Sequence, residues 1–579
     1  MRFGIFYEHQ LPRPWDDGAE EKLLQNALEQ VELADKVGFD YVWEVEHHFL
    51  EEYSHSSAPE VFLAAASQRT KSIRLGHGIV QTPPNFNHPV RTAERIATLD
   101  LLSGGRVDFG TGEASSQAEL GGFGIDRSEK HMQWEEGLDA ITRMFVEEPF
   151  AGYDGRWISA PPRNIVPKTK QKPHPPLWVA CSRRETILVA GRKGLGALTF
   201  AFVEPHEAKP WVEEYYDLIT SEHCVPGGFA VNPNVAIVLP MMCHTDEQTA
   251  IDRGIDGGHF FRYSLAHYYV FGDHRPGITN VWEEFQAKRS QYGLDRGIVK
   301  ADDSQLSVNL LQQGTGSMRG AIGTPDQIAE LLRRYEEIGV DQAIFVMQAG
   351  DNKHEHICES IELFGKQVLP EFAERREQRE AEKEERLAEA CKRALARRSP
   401  PRRSDPGYVI TPQGEPRPAQ LISAARRADQ AGSGRPSLKQ RAAELGQAGL
   451  AAFVRGRSDR QLERTIGSRP AMRAIFKGME RAFVPERAEL FKGDIQYELN
   501  GSGAARNWVI HVADGRAEAY EGRSSEPAVT FRLSVPTFAR IAAGELHPAK
   551  AMFNGDMEID GDFEVASRMP DMFGQESLI

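Results

Sequence analysis

The stretch Glu44-Val45-Glu46-His47-His48-Phe49 sets two carboxylates beside adjacent imidazoles directly after the apolar run Tyr41-Val42-Trp43. Two chemistries suit these residue types. Histidines with a carboxylate can ligate a transition metal, and an imidazole beside a carboxylate can carry a proton near neutral pH. If a strand ran on through both histidines, His47 and His48 would point to opposite faces and could not easily meet on one ion. The helical spacing His-Glu-x-x-His is absent. The residues therefore favour acid–base work by one histidine and a structural role for the other, with a solvated loop as the plain alternative.

Bulk properties narrow the surroundings. A chain of 579 residues exceeds a single hydrophobic core and implies two to four domains. The net charge of −15 argues against a nucleic-acid partner, which needs a basic field. No apolar run is long enough for a membrane span, and the first ten residues, MRFGIFYEHQ, lack the apolar stretch of a signal peptide. The five cysteines (Cys181, Cys224, Cys243, Cys358, Cys391) are scattered and form no CxxC pair. That usage fits reduced thiols in a cytoplasm better than disulfides or zinc. A cytoplasmic protein is expected.

The elements that must position the histidines follow from periodicity. Eight strand candidates stand out: Phe3–Phe6, Tyr41–Val45, Ile73–Val80, Val107–Gly112, Leu177–Cys181, Gly196–Phe200, Val235–Met241 and Gln342–Met347. Between the first two, Leu24, Leu28, Val31 and Ala34 recur at helical spacing and Gly38 ends the helix. Eight βα repeats with apolar strands predict an α/β fold, a closed (β/α)8 TIM barrel, with an open doubly wound sheet as the competitor. In a barrel, His47 and His48 follow the C-terminal end of the second strand, where catalytic groups gather. Residues 376–436 read as a charged helix and then a flexible linker rich in Pro, Gly, Ser and Arg. Residues 437–579 read as a smaller α+β domain, with alternating strands at Ile495–Leu499 and Trp508–Val512.

The segments GFDYVWEVEHHF, IRLGHGIVQTPPNFNHPVRTAERIATLDLLSGGRVDFGTG, GAIGTPDQIAELLRRYEEIGVDQAIFVMQ and SIELFGKQVLP resemble, in order across residues 1–375, bacterial luciferase and its flavin-dependent relatives. The resemblance implies a two-component monooxygenase that takes reduced FMN from a separate flavin reductase and uses O₂ to oxygenate an organic substrate. In the family motif the first histidine is catalytic, which falls on His47, and its implied role is proton management. Glu46, Gly78, Gly110 and Ala180 then fall among residues along the flavin. His88-Pro89-Val90-Arg91 matches a family signature that reads as structural. The aromatic stretch 257–272 falls where the family has a mobile loop near the active site, although barrel core is an equal fate for several of its side chains.

One position departs from the family. Glu113 stands where bacterial luciferase carries an arginine that reaches the flavin phosphate, and a carboxylate there would repel a phosphate. Ser182-Arg183-Arg184-Glu185-Thr186, opening a helix after the strand Leu177–Cys181, offers a replacement of amides, a hydroxyl and a guanidinium. Ser182 matches a family phosphate ligand, and Thr186 lies one place beyond the strict match. Ser182 with Arg183 or Arg184 is the expected phosphate site, against an N-cap with solvated arginines.

The C-terminal segments ELFKGDIQYELNG, NWVIHVADGRAEAYEG, PAVTFRLSVPTFARIAAGEL and AMFNGDMEIDGD resemble the sterol-carrier-protein type 2 lipid-binding fold. Ile495, Tyr497 and Leu499 share one face, suited to an apolar tunnel or equally to a plain core. The combined expectation is an FMN-dependent monooxygenase acting on a small lipophilic substrate such as an aldehyde, ketone, terpenoid or steroid, held or delivered by the tail. An F420-dependent hydride-transfer oxidoreductase of the same fold and a non-catalytic lipid-binding protein remain the alternatives. The sequence leaves homo-oligomer formation open.

Overall fold

The computed structural model describes residues 1–579 apart from 182–183, 200–204, 291–293, 295–318, 413, 416–452, 484–487, 489–490, 502–505, 514, 544, 547, 563–564, 567–568, 570–571 and 574–579. The chain forms two compact units, the first running from Met1 to Tyr268 and resuming at His274, the second carrying the C-terminal residues.

In the first unit, β1 (Arg2–Tyr7), β2 (Tyr41–Glu44), β3 (Arg74–Gln81) and β4 (Val107–Gly112) pair in parallel in sequence order. A short hairpin, β5 (Tyr153–Asp154) with β6 (Ser159–Ala160), stands apart. Then β7 (Leu177–Cys181), β8 (Gly196–Thr199) and β9 (Val235–Cys243) continue the ring. The three-residue β10 (Ala321–Gly323) adds to the edge of β9, and β11 (Gln342–Val346) lies between β9 and β1. Pairing of β8 with β9 closes the circle, so the open-sheet alternative fails and the expected eight-stranded barrel stands.

The strands are buried on both faces, as their apolar runs require once helices cover the outside. Local chemistry sets the helix boundaries. Gly38, at φ 101°, ends the helix Ala19–Val37 by donating its N–H to the Ala34 carbonyl. His88 caps the helix Pro89–Leu102 by accepting from the Val90 N–H, and Pro89 takes its first turn, which accounts for the His-Pro-Val-Arg motif. Of the two fates read for residues 257–272, a mobile loop or barrel core, the second holds for the part that is helical. Glu247–Ala266 is one helix in which Phe260, Phe261 and Tyr263 are fully buried, because 3.6-residue periodicity turns these rings inward.

The charged helix Leu369–Arg397 packs on the barrel rather than standing in solvent. Leu387, Ala390 and Ala394 are buried, and the polar face is anchored by Arg376 to Asp40 (2.7 Å), Lys383 to Asp341 (2.6 Å) and Arg2 to Glu380 (2.6 Å). Density of Glu, Arg and Lys concealed this buried stripe.

The second unit holds a five-stranded sheet ordered β14-β13-β12-β15-β16, from Arg516–Glu521, Arg506–Ala513, Gly493–Asn500, Val529–Ser534 and Met557–Gly561. The helices Arg469–Ala482 and Val535–Ala542 contribute Phe476 and Phe538 to its core. Phe476 stacks on Trp508 at 4.6 Å and on Phe538 at 5.4 Å, and Ile495, Tyr497 and Leu499 are buried in the same cluster. Among the described residues no helix is long and apolar enough to cross a membrane.

Candidate active site

Strand β2 ends at Glu44, so Glu46, His47 and His48 lie in the loop beyond it rather than on alternating strand faces. The loop is fixed to its neighbours: the His47 N–H donates to the Ser56 carbonyl at 2.8 Å, and the Gln81 N–H donates to Glu46 Oε2 at 2.8 Å. Among the described residues four non-glycines adopt positive φ, and all follow barrel strands: His9 after β1, Phe49 and Glu51 after β2, and Ala114 after β4. Strained backbone of this kind persists where the surroundings over-determine it and concentrates at functional sites.

The His47 imidazole sits between carboxylates. Its Nδ1 is 3.0 Å from Glu119 Oε1, and Glu8 Oε2 lies 3.6 Å from Nε2. Glu119 is fully buried and its Oε1 also accepts from Gln81 Nε2 (2.8 Å) and the His48 N–H (3.1 Å). Burial alone would push the His47 pKa down. The charges of Glu119 and Glu8 and the Glu119 hydrogen bond outweigh it and carry the group up to about 9. His48 takes another part: its Nε2 lies 3.2 Å from Glu46 Oε1, and its ring meets Phe123 edge-on at 4.9 Å. Glu46 is held further by Asn87 Nδ2 at 2.7 Å. The two imidazoles therefore meet different carboxylates, Glu119 and Glu46, which Gln81 ties together.

The expected flavin positions divide. Gly78 lies at a register irregularity between β3 and β4, and a Cβ there would meet Phe6 at 3.3 Å. At Gly110 a Cβ would come 2.0 Å from the His77 carbonyl oxygen, so that glycine serves the close approach of two strands. Ala180, on β7, and Thr186, in the helix Arg184–Arg192, are partly exposed. Ser182, Arg183 and the side chain of Arg184 lie outside the described residues.

Glu113 meets cations. Lys130 Nζ lies 2.9 Å from Oε1 and His131 Nδ1 2.9 Å from Oε2. Burial acts to raise its pKa, but the Lys130 ammonium and the His131 hydrogen bond prevail and hold it down at about 2. A phosphate near this strand would thus meet a compensated carboxylate rather than a bare negative charge.

Several members of this site escaped sequence reasoning. Glu8 follows β1 as Glu46 follows β2, so polar residues at a barrel strand end were an available signal. Glu119, on the helix Gln117–Gly122, is 72 residues from His47 and carries no local mark.

The polar inventory tests the fit of a flavin. Glu8 Oε2, Glu119 Oε2 and Gln81 Oε1 are buried and accept no hydrogen bond among the described residues. Buried polar atoms ordinarily find partners, so this end of the barrel retains acceptors for the N–H groups of a ring beside a protonatable imidazole.

Residues 1–342 match the family described as Luciferase-like monooxygenase, and residues 477–574 match the SCP-2 sterol transfer family. Limonene 1,2-monooxygenase of Rhodococcus erythropolis is 28% identical over 374 residues, covering 62% of this chain and 84% of that protein. The oxygenase component of flavin-dependent trigonelline monooxygenase from Acinetobacter baylyi is 24% identical over 379 residues, covering 65% and 96%. Among solved structures, monooxygenase RslO1 from Streptomyces bottropensis shares the barrel fold at a TM-score of 0.51 and 25% identity, covering 64% of this chain and 100% of that one.

Proposed function

The chain belongs to the luciferase-like monooxygenase family, and from that premise we propose that it oxygenates a small lipophilic substrate using O₂ and reduced FMN delivered by a separate flavin reductase. The observation that carries the reading is the half-buried His47 imidazole held by Glu119 at the C-terminal end of the barrel. Bound reduced flavin would supply the electrons and the oxygen chemistry. This chain's residues bind, orient, exclude water and move protons.

Glu119 fixes Nδ1 of His47 and Glu8 faces Nε2, so the ring is held between carboxylates while it takes up or gives up a proton. Glu46, tied by Gln81, Asn87 and His48, keeps the loop in register beside the strand ends. Gly78 and Ala180 would offer backbone to the ring, and Ser182 with Arg183 or Arg184, joined by Thr186, would hold the phosphate. The name of the limonene enzyme, whose substrate is a hydrocarbon, supports a lipophilic substrate here. The flavin dependence and oxygenase-component status of the trigonelline enzyme support a flavin and a second component.

We take the working division as 1–375 for the catalytic domain, 376–436 for the connecting segment and 437–579 for the domain that stores or presents the substrate. The test is equilibrium binding under anaerobic conditions. Reduced FMN should bind more tightly than reduced F420, and added O₂ should then consume a member of a lipophilic panel. Preference for F420 without oxygen consumption would refute the reading.

A further inference from the structure

Glu8 is an expensive residue to keep where it is. Burying a carboxylate is costly unless donors compensate it, and its exposure is 2%. Its Oε1 accepts from the Tyr53 hydroxyl at 2.9 Å, while Oε2 accepts no hydrogen bond among the described residues. The placement is constructed from both sides. The Glu8 carbonyl accepts from Ser54 Oγ at 2.7 Å, the His9 carbonyl accepts from the His55 N–H at 3.1 Å, and the Leu11 N–H donates to the Glu52 carbonyl at 3.2 Å. These bonds lace the end of β1 to the loop after β2. His9 adopts φ 54° with its ring buried 2.8 Å from Glu44. His47 thus meets the charges of Glu119, Glu8 and Glu46 and the Tyr53 ring, Glu44 acts on Glu8 from beyond and pairs with His9, His48 pairs with Glu46, and Glu8 Oε2 lies 3.6 Å from Nε2.

We propose that Glu8 is the positioning residue for the proton on His47 Nε2: its Oε2 faces that nitrogen as the carboxylate that holds the imidazolium, and as the acceptor to which Nε2 passes its proton when the ring must turn neutral. In the transfer the Nε2–H bond breaks and an O–H bond forms on Glu8. An ion pair becomes a neutral imidazole and a neutral acid, with nothing oxidised or reduced. The separation exceeds hydrogen-bond reach by roughly half an ångström, which a small rotation of either side chain closes. Tyr53 holds the far oxygen, so the carboxylate cannot swing away when His47 is neutral. Burial supports the same picture by pushing the Glu8 carboxyl up to about 7, against the opposing pull of His47 and the Tyr53 hydrogen bond.

The proposal rests on the reading of His47 as the proton-carrying group, and the test separates the two because imidazole titration needs neither flavin nor substrate. The full chain, labelled at histidine and free of flavin, is titrated by NMR, with the His47 signal identified by its loss in His47→Ala. The parent midpoint should lie near 9. Glu8→Gln should lower it by more than about one pH unit, and Glu8→Asp, which retains the charge, should recover part of that shift. In the active enzyme the pH profile of kcat should move with the titration while KM stays put. If Glu8→Gln does not fold, Tyr53→Phe replaces it. Loss of the phenol donor weakens the carboxylate, so the His47 midpoint should fall by a smaller amount. An unchanged midpoint in the folded variant, or an equal fall in Glu8→Gln and Glu8→Asp, overturns the proposal. Failure to find any oxygenated product, with the titration shifts intact, overturns the functional reading and leaves this assignment standing.

Discussion

His47 Nδ1 and Glu119 Oε1 lie 3.0 Å apart although 72 residues separate them in the chain. The relationship fixes Nδ1 on Glu119 and turns Nε2 towards Glu8. His47→Ala should lower oxygenation by roughly 10²–10⁴-fold, the scale for loss of a general acid or base, and leave the barrel folded. Product yield from pre-reduced flavin checks this, with far-ultraviolet circular dichroism as the folding control. Glu119→Gln keeps a hydrogen-bond partner but not the charge, and should fall between parent and His47→Ala.

The Glu113 cluster predicts an acid-side stability effect. Its folded carboxyl, at about 2, lies below the ordinary carboxyl value, so the contribution is present above the unfolded pKa and is lost as pH falls towards 2. Glu113→Gln should therefore destabilise the protein at neutral pH by about 2–3 kcal/mol at most. The gap between parent and variant melting temperatures should narrow as pH drops below about 4.5. A gap that stays constant across that window would show that the loss is one of packing rather than charge.

Ending the chain at Arg375 removes one ion-pair partner each of Asp40, Asp341 and Arg2 together with buried Leu387, Ala390 and Ala394. Burial of one leucine side chain alone is worth about 1.5–3 kcal/mol. A chain ending at Arg375 should melt at least several degrees below one ending at Pro412. Differential scanning calorimetry of the two decides the matter, and equal melting temperatures would make the helix Leu369–Arg397 dispensable.

For the second domain, the separated fragment 437–579 should fold and take up a fluorescent fatty acid or sterol analogue. Trp508 is the fragment's sole tryptophan and stacks on Phe476 inside the core. Ligand entry beside that pair should change its emission together with the analogue's. Uptake without a change in Trp508 emission would place the lipid elsewhere, and no uptake would leave the domain a role in assembly.

Fold and site were legible to different depths. Every barrel strand could be read from its apolar run, because parallel strands buried on both faces leave a continuous hydrophobic signature. The closing contact of β8 with β9 followed from counting eight such runs. The helix Leu369–Arg397 misled because a narrow buried stripe of Leu387, Ala390 and Ala394 is diluted by charge. The place of His47 beyond the end of β2 was readable from its motif. Glu119 was not, since a carboxylate on a short helix has no periodic signature. Glycines were half readable: Gly110 does permit a close approach, but the approaching group is the His77 carbonyl. The aromatic run at Phe260–Tyr263 showed how composition alone cannot separate a lid from a buried helix.

The central claim is oxygen insertion, and isotope incorporation tests it most directly. Reduced FMN is bound without oxygen, ¹⁸O₂ is admitted with a panel of lipophilic aldehydes, ketones and terpenoids, and products are weighed by mass spectrometry. The account predicts one ¹⁸O atom in an oxidised product, at a yield that collapses in His47→Ala. A product carrying no ¹⁸O, or substrate oxidation that proceeds equally without O₂ at the expense of a hydride acceptor, would contradict it.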